Sequence, residues 1–359
     1  MVFFRRAAGA PAAGAPGIPK VRSVPLGRLL AQGAAWKHFL LSNSGLRPVM
    51  TTKFQEPRLD WVMCASASGT HRMAYWEWGD PDNDQVLMCV HGLTRTGRDF
   101  DRLAQRLAGR YRVVAPDVVG RGRSDWLIDP AAYAIPQYVA DMLVLIARLE
   151  PARLDWVGTS MGGLIALGLH GAQAMSALLR PARPGPGLEA PLELPLGRVV
   201  LNDVGPALNL TGLQRIGEYV GQAVTFDTFA QAVEYVRSVS ASFGEHQAAD
   251  WEDMSRHVFV EHDGKWQRHY DLRLSQAFSR QADVDLEAAQ ALLWSAYEGL
   301  PDKVLILRGE QSDLLSAQAA HEMLRRNPHA QLVEIPQVGH APMLRNAEQI
   351  DYIDHFLAG

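Results

Sequence analysis

Cysteine is almost missing: Cys64 and Cys89 are the only two in 359 residues. Two thiols cannot build a disulfide framework. With no C-x-x-C and no H-E-x-x-H, neither a redox pair nor a zinc centre has support. Cys89 sits inside an apolar run and reads as a reduced core thiol. A basic excess is also lacking. The formal net charge of −4 argues against nucleic-acid binding, because no surplus of Lys and Arg exists to neutralise phosphates. No stretch approaches the ~20 consecutive apolar residues that span a bilayer, so no integral membrane segment is expected. Acidic residues are absent from the first 49 positions, which carry Arg5, Arg6, Lys20, Arg22, Arg28, Lys37 and Arg47 and are rich in Ala, Gly and Pro. That composition predicts a disordered basic arm over 1–49, either a targeting arm or translated sequence ahead of Met50. "AAGAPAAGAPGIP" makes a poor secretory h-region, and a cytoplasmic location is expected.

What is present is an alternation of strand and helix signals from Trp61 onward. "QVLMCVHG" (85–92) and "RVVAPDVVG" (112–120) are short continuous apolar runs ending in Gly, which suits strands buried on both faces. "PQYVADMLVLIARLE" (136–150) reads as a helix with Pro136 in its first turn. Then follow strand "RLDWVGTS", helix "MGGLIALGLHGAQAM", strand "GRVVLNDVG" (197–205) and, near the end, strands "DKVLILRGE" (302–310) and "AQLVEIPQVGH" (330–340) with their helices. Such alternation predicts a mostly parallel sheet covered on both faces. The chain exceeds the usual length of one domain, and the surplus lies between Pro206 and Gly299, where the alternation stops. Residues 207–298 read as a helical cap inserted into a core formed by 50–206 and 299–359. Phe229, Val233, Val236 and Val239 recur there at helical spacing behind Asp227 as N-cap. Phe226, Phe243, Trp251, Phe259, Trp266, Phe278 and Trp294 make the segment aromatic. A cap over the carboxyl ends of the strands covers the usual ligand position of open α/β sheets. The Pro/Gly-rich run 180–197 reads as a surface loop.

Gly158-Thr159-Ser160-Met161-Gly162 fits G-x-S-x-G between an apolar strand and a small-residue helix, the setting of a nucleophile elbow. A tight turn there pushes the Ser160 hydroxyl out above the sheet edge, and glycine at 158 and 162 avoids collision across the turn. Serine is a weak nucleophile without a base and a group that orients the base. His340, just past the last strand, is the base expected. For the acid, Asp313 is the first choice, ending the preceding strand; Asp203, which also ends a strand, is the competitor, and Glu310 a weaker one. The oxyanion donors expected are the amides of Met161, directly after the serine, and Leu93, in the loop after "VLMCV". His91 is expected to bond that loop rather than transfer protons. Arg95 and Arg98 beside it suit either an acidic substrate or plain surface charge.

Taken together, "VHGLTRTGRDF", "APDVVGRGRSD", "GTSMGG", "LRGEQSD" and "VGH" resemble a serine hydrolase of the α/β-hydrolase fold, of the capped, carboxylesterase-like kind, over residues 60–359. The resemblance implies an eight-stranded sheet, a Ser160–Asp313–His340 triad, a small-molecule ester substrate and no cofactor. A serine at 160 disfavours dehalogenase and epoxide-hydrolase chemistry, which use a carboxylate nucleophile. Carbon–carbon bond hydrolase, lactonase, haloperoxidase and acyltransferase activities share these motifs, and a non-catalytic hydrolase-like binding protein is the reading from another class.

Overall fold

The apolar runs become strands, and their alternation sorts one core into two. In a computed structural model, residues 56–179, 194–276, 286–301 and 303–359 are described, all within one unit, Phe54–Gly359. The basic arm, most of the Pro/Gly-rich run and Phe278 lie outside the described residues. Strands β1 (Arg58–Ser66), β2 (Gly69–Trp78), β3 (Gln85–Val90), β4 (Arg112–Pro116), β5 (Arg153–Thr159) and β6 (Leu196–Asn202) precede an inserted segment, which contributes β7 (Thr225–Phe226), β8 (Phe259–His262) and β9 (Lys265–Arg268). Strands β10 (Val304–Gly309) and β11 (Gln331–Ile335) follow it. Eight strands form the main sheet in the order β1-β2-β4-β3-β5-β6-β10-β11. The β1–β2 and β2–β4 pairs are antiparallel; the rest are parallel.

Side chains alternate across each strand. Val86, Met88 and Val90 of β3 join one apolar layer, and Leu87 and Cys89 the other. The first layer is closed by helices α2 (Ile135–Leu149) and α3 (Met161–Leu179), the second by α1 (Asp101–Leu107) and the C-terminal helix Ala347–Ala358. Burying one such side chain contributes about 1.5–3 kcal/mol, so a layer tolerates little polarity. Met161–Leu178 is, by length and composition, apolar enough to cross a membrane, a run that the sequence reading passed over. Here it packs against the sheet and α2 as a core helix.

The insertion departs from its expected all-helical form. Helices α4 (Leu210–Tyr219), α5 (Phe229–Val239) and α6 (Ala248–Val258) are accompanied by a small antiparallel sheet, β7-β9-β8. Its hairpin turns at Asp263–Gly264, where φ is +50° and +71°. Asp-Gly supplies this two-residue turn cheaply because both residues tolerate positive φ. The N-cap of α5 is Thr228, not Asp227: its hydroxyl and the Gln231 side chain form a capping box. Helix α7 (Leu286–Glu298), expected within the cap, packs instead on α3, and Trp294 lies against Tyr297 and under the Arg326 guanidinium. The insertion's own apolar cluster centres on Trp251, Met254 and Phe259. It is tied to the core by Arg345 to Asp253, by Arg102 to Asp250, and by backbone bonds from Gly122 to His269 and from Asp271 to Gly120. It reaches the carboxyl end of β5, where Leu213 and Ile216 share a cavity with Ser160.

Candidate active site

The corner between β5 and α3 is built by close contacts. Ser160 is held at φ +52°, a region that non-glycine residues rarely occupy. Its N–H donates to Asn202 O on the neighbouring strand (2.9 Å), and its carbonyl accepts from Gly163 and Leu164, starting the helix. A Cβ at Gly158 would lie 2.5 Å from the Gly162 carbonyl, and one at Gly162 would lie 2.0 Å from Val90 O. Only glycine fits either place. The buried indole of Trp156 donates to Gly162 O (3.1 Å), fastening the first turn of α3 to the strand before it.

The structure brings Ser160 and His340 together. His340 Nε2 is 2.9 Å from Ser160 Oγ, and its Nδ1 is 2.8 Å from Asp203 Oδ2. With Nδ1–H donating to the carboxylate, Nε2 presents its lone pair to the serine hydroxyl. Asp313, the acid expected from the sequence, is not the partner. Its carboxylate makes a two-pronged ion pair with Arg215 (2.5 and 2.9 Å), which holds it below the usual carboxylate range against the opposing effect of burial. Glu310 accepts from Gln337 N (3.0 Å) and also stays outside. Asp203 instead closes β6 at φ +56°, fully buried. Gly309 N donates to its Oδ1 (2.8 Å) and Ser312 Oγ to its Oδ2 (2.6 Å), so three donors including the imidazole meet this carboxylate. The residue next to the expected acid thus serves the carboxylate that takes its place.

Leu93 and Met161 line one cavity with Ser160. Among the described residues no carbonyl takes the N–H of either, and Met161 is the first residue of its helix. The loop after β3 is locked by His91, whose Nδ1–H donates to Gly92 O (2.7 Å) while Nε2 accepts from Val118 N (2.9 Å). Fixing the Gly92 carbonyl fixes the trans N–H of Leu93 in the opposite direction. Complete burial pulls His91 down to about 4, so the ring stays neutral and keeps both bonds. Arg121, absent from the sequence reading, is fully buried. It donates to Leu93 O (2.8 Å), Val119 O (2.7 Å) and Tyr138 Oη (3.0 Å), and it reaches Met161 Sδ. It joins Leu93 to Met161; its only sequence signal is a basic residue inside the glycine turn of "VVGRGRSD". Arg95 and Arg98 are not loose surface charge, being paired with Asp99 and Asp101 respectively. The Ser160 cavity, about 670 Å³ with its open mouth, is otherwise apolar, walled by Tyr138, Leu164, Leu213, Ile216 and Leu274 among others.

A positive-φ serine between strand and helix, with an imidazole at hydrogen-bonding distance, is the geometry of a nucleophile elbow. The model of the alpha/beta hydrolase family matches residues 87–351. The chain belongs to the α/β hydrolase family. It is 45% identical over 307 residues to a 3-hydroxybutyrate-oligomer hydrolase from Cupriavidus necator, an alignment covering 84% of this chain and 98% of that protein. A pimeloyl-[acyl-carrier protein] methyl ester esterase from Xanthomonas campestris is 27% identical over 74% of this chain and 91% of its own length. Among solved structures, an α/β hydrolase from Novosphingobium aromaticivorans superposes with a TM-score of 0.70 at 32% identity, covering 85% of this chain and 99% of that one. This hydrolase acts on ester bonds.

Proposed function

We propose that this hydrolase cleaves short oligoesters of 3-hydroxyalkanoic acids, with 3-hydroxybutyrate as the monomer, through an acyl-enzyme on Ser160. The reading is carried by the Ser160–His340–Asp203 relay, at 2.9 and 2.8 Å, opening onto an apolar cavity, in a chain whose 45% identical relative acts on 3-hydroxybutyrate oligomers. His340 Nε2 takes the hydroxyl proton as Ser160 Oγ attacks the ester carbon. The Leu93 and Met161 amides hold the oxyanion, each contributing about 3 kcal/mol to the transition state. His340 then gives that proton to the departing alkoxide, and the ester C–O bond breaks. Water, deprotonated by the same imidazole, attacks the acyl-enzyme and releases the acid. Asp203 keeps Nδ1 protonated and balances the imidazolium; Ser312 and Gly309 hold Asp203 in turn. The small branched monomers suit a cavity lined by leucine, isoleucine and tyrosine. The inserted segment, 207–276, closes over the bond to be cut in this reading. Unpaired buried thiols at Cys64 and Cys89 fit a reducing compartment, and the cytoplasm is the location proposed.

The test is turnover of the 3-hydroxybutyrate dimer and trimer by purified protein, with monomer release followed by chromatography. Ser160→Ala should lower kcat by about 10⁴-fold or more while circular dichroism stays native. Hydrolysis of p-nitrophenyl butyrate without release of monomer from any oligomer would leave an esterase and remove the oligoester substrate.

A further inference from the structure

A second chamber, about 520 Å³ with its open mouth, lies beside the Ser160 cavity, and three arginines contribute to its lining. Arg95, Arg215 and Arg268 line it together with Tyr219, Tyr235 and Tyr270. Helix α4 divides the two spaces: Leu213 and Ile216 face the apolar cavity, Arg215 and Tyr219 the cationic chamber. Consecutive residues of the oxyanion loop do the same, Leu93 lining one and Thr94 the other. The chamber also borders the His340 loop, because Ser240 and Phe243 line it while Ser242 between them donates to His340 O (3.0 Å). It thus adjoins the loop of the imidazole that would protonate a leaving alcohol.

The charges do not cancel. Arg95 is paired with Asp99 and Arg215 with Asp313, but Arg268 has no carboxylate partner among the described residues. Its guanidinium donates to the hydroxyls of Tyr235 and Tyr270 and lies 5.2 and 5.3 Å from their respective ring centroids. Its Nε is buried and finds no acceptor among the described residues. Three guanidiniums and two carboxylates leave one positive charge in a half-enclosed space. The Tyr235 hydroxyl accepts from Arg268, which leaves its own proton to donate. A planar fork with an idle N–H beside a tyrosine hydroxyl suits a carboxylate.

Resting on the oligoester reading, we propose that this chamber holds the free terminal carboxylate of the substrate, so that the ester bond nearest that carboxylate is the one cut. The bond from the acyl carbon to the terminal unit's oxygen breaks, and that oxygen takes the proton from His340. A 3-hydroxyacid leaves from the Arg268 side; the rest of the chain stays on Ser160 in the apolar cavity and is released by water. Oligomers are shortened one monomer at a time from the carboxyl end.

Two measurements separate this from the reading on which it rests. In the first, kcat/KM for cutting the bond between the two units is compared for the 3-hydroxybutyrate dimer as free acid and as methyl ester. The acid should be preferred by about 30-fold or more, Arg268→Met should bring that ratio to about 3 or less, and Arg268→Lys should keep most of it. If Arg268→Met fails to fold, Tyr235→Phe should still lower the ratio. In the second, 3-hydroxybutyrate and its methyl ester are tested as inhibitors of p-nitrophenyl butyrate hydrolysis; the acid should bind about 10-fold tighter, and this preference should vanish in Arg268→Met. Dimer cleavage with no preference for the acid would overturn the carboxylate chamber and keep the oligoester reading. Preferential inhibition by the acid with neither dimer cleaved would do the reverse. An acid preference untouched by both Arg268→Met and Tyr235→Phe would overturn the assignment to these residues.

Discussion

At the scale of single residues, Asp203 and Asp313 end neighbouring strands of one sheet, and the groups around each decide its part. Asp313 meets an arginine and is about one-third exposed, whereas Asp203 meets an amide, a hydroxyl and an imidazole with no exposure to water. Asp203→Asn should lower kcat for p-nitrophenyl butyrate by about 10³–10⁴-fold, because an amide favours the wrong imidazole tautomer. Asp313→Asn should cost less than about 10-fold, since a partly exposed pair contributes little. Equal losses in both variants would place both carboxylates at the imidazole. The sequence pointed to the meeting of Ser160 and His340 because each follows a strand in a distinctive local string. Which carboxylate meets the imidazole was not legible, because "VLND" and "GEQSD" give the same signal. Arg121 was hidden for a related reason: a buried arginine is defined by the carbonyls it reaches, Leu93 and Val119, and one of these lies far along the chain.

At the scale of elements, the β5–α3 corner depends on the absence of side chains. Gly162→Ala places a methyl group against the Val90 carbonyl, which is backbone and cannot swing aside. Overpacking of this kind costs on the order of 3 kcal/mol. The shift also passes through Val90 into His91 and Gly92, so kcat should fall along with the denaturation midpoint. Gly109→Ala, where a methyl group would meet nothing within 4 Å, should change neither by a measurable amount. Urea titration and steady-state kinetics on the two variants check the contrast. The same local logic explains why the core strands could be read from their apolar runs and the β8–β9 hairpin was missed. "HDGKW" carries an Asp-Gly turn signal, but its strands are four residues each and bury only Phe259 fully, so no apolar run announces them. Helix α7 was assigned to the insertion because its sequence is simply helical, and nothing local tells which layer a helix will cover.

At the scale of the whole molecule, buried imidazoles set how stability responds to acid. His91 is held at about 4 against an ordinary value of 6.5, and burial lowers His170, His246 and His269 as well. The unfolded chain therefore takes up protons first as pH falls through 6.5. Stability is full above that value and declines toward pH 4, where the folded ring begins to protonate as well. For His91 alone the loss between pH 7 and pH 5 is about 2 kcal/mol. His91→Gln should be less stable than the parent at pH 7 and show a shallower decline to pH 5 in urea unfolding. An equal slope in both proteins would mean that His91 is not held neutral.

Local strings were enough for the fold class, and they pointed to the serine at its corner, the histidine after the last strand and the loop that contains Leu93. Each rests on contacts between residues close in the chain, where φ preferences, apolar runs and helix termini act. Choosing Asp203 over Asp313, joining Leu93 to Met161 through Arg121, and gathering Arg95, Arg215 and Arg268 around one chamber required the packed chain. Those outcomes depend on which strand lies beside which and on which buried charges find partners. Both are settled by desolvation and close packing across long separations in sequence, for which a linear pattern carries no mark.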